Sequence, residues 1–120
     1  MTTYDFGNGP VPAHQHSNGG GWVADTASVS DTAYVEPDAQ VFGNAKVFGS
    51  VVVFGNAKVY DNAQVFGSVV VFGNSQVFGN AKVSGNAWVA GNAKVAGNAW
   101  VSGNDWVSGD AMMYGDAVLA

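Results

Sequence analysis

Residues 77–94 read VFGNAK VSGNAW VAGNAK, three near-identical hexads, each opened by a valine. The phase extends in both directions: valine stands at every sixth position from Val23 to Val107, and Met113 and Leu119 carry the register on. That makes 17 consecutive hexads without one inserted or deleted residue. A core side chain every six residues suits neither the period of about 3.6 of a helix nor the two-residue alternation of an ordinary strand. It suits a solenoid whose coil is built from short straights joined by corners.

Position five of the hexad is small, with alanine at Ala27, Ala33, Ala39, Ala45, Ala57, Ala63, Ala81, Ala87, Ala93 and Ala99; Val51, Val69, Ser75 and Asp105 depart from the pattern. One branched and one small residue per hexad fill a narrow core, the valine favouring extended straights and the alanine leaving room at the corners. Positions three and four make the corner. Glycine holds position three from Gly43 to Gly115 except at Asp61, and asparagine recurs at position four from Asn44 to Asn104. Both types tolerate φ > 0, which a sharp bend demands, so the Gly-Asn pair is expected to supply it. Stacked asparagines are also expected to hydrogen-bond as a ladder along the axis.

Three hexads complete one triangular coil. Phe48-Gly-Ser-Val-Val52 recurs 18 residues later as Phe66-Gly-Ser-Val-Val70, and Trp88 and Trp106 are also 18 apart. Identical side chains stacked one strand spacing apart are what an 18-residue coil predicts. The hexads then form between five and six coils, a prism roughly 27 Å tall.

The unit resembles the hexapeptide-repeat superfamily of left-handed parallel β-helices, whose hexads carry an aliphatic residue with a small one four positions later. The likeness covers about four-fifths of the chain. It implies a left-handed hand and a homotrimer; the hand rests on the resemblance alone, because crossovers between parallel strands are right-handed in about 98% of cases. The expected chain is therefore all-β: a left-handed parallel β-helix over residues 22–120, preceded by an irregular Gly/Pro-rich arm or cap over residues 1–21. The wording of that arm, with Trp22-Val-Ala-Asp-Thr-Ala27 after it, resembles uncharacterised hexapeptide-repeat proteins of tailed phages and their prophages.

Charged residues make up only 11% of the chain, the net charge is −5, and the basic residues are four lysines with no arginine. Nucleic-acid recognition relies on clustered basic side chains, so no such partner is expected. Without cysteine there is no disulfide, thiolate metal site or cysteine nucleophile. The start, MTTYDFG, lacks the basic and apolar regions of an export signal, and no run approaches the ~18 apolar residues of a membrane span. A soluble chain with no membrane partner is expected, in the cytoplasm (the host's, if phage-encoded) or associated with a virion.

An 18-residue coil sorts the outward residue before each core position onto three faces. The first carries Trp22, Gln40, Lys58, Gln76, Lys94 and Met112, and the second Ser28, Lys46, Gln64, Lys82, Trp100 and Val118. The third carries Tyr34, Val52, Val70, Trp88 and Trp106, without a charge or an amide, and Phe54 and Phe72 lie beside them. Charge depletion marks an interface core, and so long an apolar stripe is unfavourable in water. These seven residues are the candidate oligomer interface, most simply of a trimer; the alternative is that the N-terminal segment covers them. The other faces offer candidate ligand-binding residues: Lys46, Phe48, Phe66 and Lys82 on the second, and Phe42, Lys58, Tyr60 and Lys94 on the first. Their rings and ammonium groups would stack on and pair with an anionic ring compound such as a nucleotide, in clefts between subunits.

Catalysis finds little support. The superfamily's acyltransferases use a histidine general base and loops protruding from corners, and its γ-class carbonic anhydrases hold zinc on three coil histidines. No histidine and no insertion occur from Trp22 to Ala120. Neither chemistry transfers residue by residue, and no cofactor is expected. His14 and His16 are weak metal candidates: in an extended arm both imidazoles point the same way, and three such pairs on a trimer axis offer six nitrogens. Asp105 puts a carboxylate in an inward slot, a costly placement best explained by an exposed end of the coil. The expected function is a non-catalytic structural or binding scaffold, a homotrimer presenting aromatic and lysine-bearing faces to a partner. A small-ligand binding or sequestering protein is the first alternative, and an acyl-CoA-dependent acyltransferase the second.

Overall fold

A computed structural model describes residues 2–119, which form short strands and turns with no helix among them. Each core position anchors a strand, and each strand pairs in parallel with the one 18 residues on: Val41 with Val59, Val65 with Val83, Val71 with Val89. The chain winds a parallel β-solenoid of about five coils, its strands falling into sheets of eight, six and five. Every core valine from Val23 to Val101 except Val29 is fully sequestered, as are the position-five alanines from Ala33 to Ala99. Each such valine contributes roughly 1.5–3 kcal/mol by leaving water.

The corners differ from expectation in one respect. Every position-three glycine from Gly43 to Gly115 has φ between 60° and 89°, and Asp61 in the same slot has φ 59°. No asparagine has positive φ among the described residues. The bend is complete at position three, so the asparagine is free for hydrogen bonding. Its N–H donates to the glycine carbonyl one coil on, as from Asn74 to Gly91 at 2.7 Å. Its amide climbs the expected ladder, from Asn56 to Asn74 (3.4 Å), Asn74 to Asn92 (3.3 Å) and Asn92 to Asp110 (3.2 Å).

The N-terminal segment is not irregular. β1 (Thr3–Asp5) and β2 (Pro10–Gln15) form an antiparallel hairpin, and β2 pairs antiparallel with β3 (Trp22–Ala24), so the hairpin prolongs the first-face sheet below the lowest coil. The glycines and prolines fall where pairing tolerates them. The Asp5 carboxylate accepts the Gly7 and Gly9 N–H groups at 2.7 and 3.1 Å to close the turn, and Pro10 opens its strand. The hairpin lies under the first face and leaves Val52, Val70, Trp88 and Trp106 uncovered. Only its following loop reaches the third sheet, where Val35 N–H donates to Asn18 and Gly21 N–H to Val35. The long dimension, 41 Å, exceeds the height expected of the coils because hairpin strands continue the stack.

Candidate functional site

On the third face Tyr34, Val52, Val70, Trp88 and Trp106 occupy successive rungs in strict register. Beside them Phe54 and Phe72 stack at 4.9 Å, Trp88 and Trp106 stack at 4.5 Å, and Phe72 meets Trp88 edge-on at 5.6 Å. All seven candidate interface residues thus share one surface. Its exposure rises along the axis: Val52 and Val70 are half-buried, whereas Trp88 is 36% and Trp106 63% exposed. Trp100, Met112, Tyr114 and Val118, on the other faces of the same region, are also exposed, and sequence reasoning gave them no role.

The lysines form two columns, Lys46–Gln64–Lys82 on the second face and Lys58–Gln76–Lys94 on the first. Within each, the two ammonium-bearing rungs stand two strand spacings apart, about 9.6 Å. Among the described residues no lysine has a carboxylate partner; the carboxylate contact present is that of the His14 ring with Asp25. Lys82 instead places its ammonium 5.1 Å from the Trp100 ring centroid, a cation–π contact.

The neighbouring rings form axial columns, and Phe48 at the lower end of one is 41% exposed. Phe42, Tyr60 and Phe78 stack along the axis at 4.8 and 5.0 Å, and Phe48 stacks on Phe66 at 5.2 Å. Both faces of Tyr60 are consumed by its neighbours, so a planar ligand finds a free ring face only at a column end, such as Phe66 or Phe78. Tyr60 also donates its hydroxyl to Gln76 Oε1 at 2.9 Å. Burial first, and the adjacent Asp61 carboxylate second, push its phenol above the ordinary value.

Two contacts escaped the sequence reading. Ala24 stands where the first-face column needs a ring, and Phe6 supplies it from outside the coil, stacking on Phe42 at 4.8 Å. Tyr4 likewise stacks on Trp22 at 4.7 Å. The signal was the alternation Tyr4-Asp5-Phe6, which puts both rings on one side of a strand.

The two histidines part company. His14 Nδ1 lies 2.7 Å from Asp25 Oδ1, with both side chains about half exposed. His16 is 6% exposed, its Nε2 2.8 Å from the Ala33 carbonyl. A carbonyl only accepts, so that nitrogen carries the proton. Each imidazole serves a different structural bond, and no group of three potential metal ligands occurs among the described residues. Asp105 is half-buried in its inward slot, with Oδ2 shut from solvent and no hydrogen-bond partner among the described residues.

A family model described as the YdcK beta solenoid repeat matches residues 39–55, within the length of one coil. No curated protein and no solved structure matches the chain significantly. The matched repeat and the observed coils agree on a β-solenoid repeat protein.

Proposed function

We propose that the protein is a non-catalytic scaffold: a left-handed, homotrimeric β-helix, phage-encoded, that presents its aromatic and lysine-bearing faces to a partner. The hand follows from the hexad's resemblance to its superfamily. One observation carries the assembly. Over five rungs the third-face column has no charge or amide, Glu36 at its lower edge being the nearest charged neighbour on the face, while all four lysines lie on the other two sheets. A half-buried apolar stripe of this length needs cover, and the chain's own N-terminus does not provide it. A second copy bearing the same stripe does.

Light scattering at several concentrations tests this. The expected mass is three times the 12.3 kDa chain. Val70→Glu combined with Trp88→Glu should give single chains with unchanged β-sheet circular dichroism; a double variant of parental size removes the third face from the assembly.

The unpaired lysine columns favour a second reading, binding of a small multiply charged anion in the intersubunit clefts. Lys46 and Lys82 would share its charge while Phe66, the upper ring of its column, offers a free face. A thermal-shift screen with nucleotides and acyl-CoA compounds is the test. A stabilising hit that disappears in Lys46→Ala/Lys82→Ala supports the clefts, and a screen with no hit argues against them.

A further inference from the structure

Between the N-terminal hairpin and the first corner of the coil lies a groove of about 380 Å³. We infer that this groove is a binding site for a small organic ammonium ion with an apolar, ring-sized body.

The volume falls at the lower end of small-molecule sites, about 300–1,000 Å³. Phe6, Val11, Pro12 and Phe42 supply the apolar lining, and Asn8 and Asp25 are the polar side chains that matter. The walls are held in place. Phe6 is stacked on Phe42 and packs against Tyr4 at 4.8 Å, and the turn carrying Asn8 is fastened by the Asp5 carboxylate. The site therefore exists without reorganisation, which lowers the cost of binding.

Charge selects the ligand. Asp25 accepts one hydrogen bond, from His14 Nδ1 to Oδ1, and Oδ2 receives none from the described residues. A carboxylate only accepts, so His14 Nδ1–H donates that bond to Oδ1 and leaves Oδ2 open. No lysine lines the groove, and the whole chain carries −5. An anionic ligand would meet Asp25 as a like charge, and a neutral apolar one would strip water from the carboxylate without replacing it. An ammonium group answers the Asp25 carboxylate while its apolar body fills the remainder.

The test is an amide-resolved NMR titration of the full chain with 2-phenylethylammonium, using 3-phenylpropionate as the same-sized anion. Saturable shifts at the Asn8, Asp25 and Gly43 amides are expected with the cation and not with the anion. Asp25→Asn should weaken the cation at least about tenfold, the scale of one charge-assisted hydrogen bond. Val11 is 39% exposed, so Val11→Lys should fold normally and place a competing ammonium beside the groove, with a similar loss. Shifts absent from these amides, equal binding of the anion, or parental affinity in either variant would each overturn the assignment.

Discussion

Ser75 fills the inward slot that alanine holds one coil below and one coil above, at Ala57 and Ala93. Its hydroxyl is fully buried and donates toward the carbonyls of Phe72 (2.8 Å) and Val89 (3.1 Å). The Val89 carbonyl also receives the Phe72 N–H, so removing the hydroxyl does not orphan it. Ser75→Ala should nonetheless cost about 0.5–1.5 kcal/mol, measured by denaturant melts, because the Phe72 carbonyl has no other donor among the described residues. Tyr60 gives the chain a pH dependence. Its phenol is raised above the ordinary 10.0, so the folded chain holds that proton more tightly than the unfolded one. The stability gained is fully present below about pH 10 and is lost as the pH rises through the folded value. Melting temperature against pH should show an alkaline decline that Tyr60→Phe partly abolishes; an identical decline in the variant would contradict this. At this scale the corner glycines were legible, because glycine accepts positive φ more readily than any other residue, Asp61 being the one substitute in that slot from Gly43 to Gly115. The asparagines were read half correctly, since ladder bonding and backbone bending both favour that residue type and composition does not distinguish them.

The hairpin is the element that sequence reasoning missed. Gly7, Gly9, Pro10 and Pro12 invited an irregular reading, yet two of them sit in the turn and Pro10 opens the strand. A six-residue period has no power over a segment that does not repeat, so its only signal was a brief two-residue alternation. The consequence is physical: Phe6 becomes the lowest ring of a column that otherwise begins at Phe42, and Ala24 beneath it is 2% exposed. Phe6→Ala should cost about 0.5–1.5 kcal/mol for the lost stack beyond its area. The effect should be local. Hydrogen exchange is expected to accelerate across Thr3–Gln15 while the amides of Val59, Val65 and Val71 keep parental protection. Uniform acceleration through the coils would show instead that the hairpin is part of one cooperative unit with them.

Across the whole molecule, the coil length and the assignment of residues to faces were legible, because Phe48 over Phe66 and Trp88 over Trp106 repeat at the pairing distance itself. What the outward side chains do was less so: the period fixes the direction of each Cβ but not its rotamer, and whether a ring shows solvent its face or its edge is a rotamer question. The stacked columns turn ring faces along the axis, and the third face keeps an apolar column through five rungs whose upper end, Trp88 and Trp106, is exposed. If three chains share it, unfolding is linked to dissociation, and mass action makes apparent stability depend on concentration. The melting temperature should then rise over an approximately 100-fold increase in protein concentration, whereas the Val70→Glu/Trp88→Glu double variant should melt at one temperature throughout. A parent chain whose melting temperature ignores concentration would mean that the stripe stays in solvent, and the trimer and its clefts would go with it.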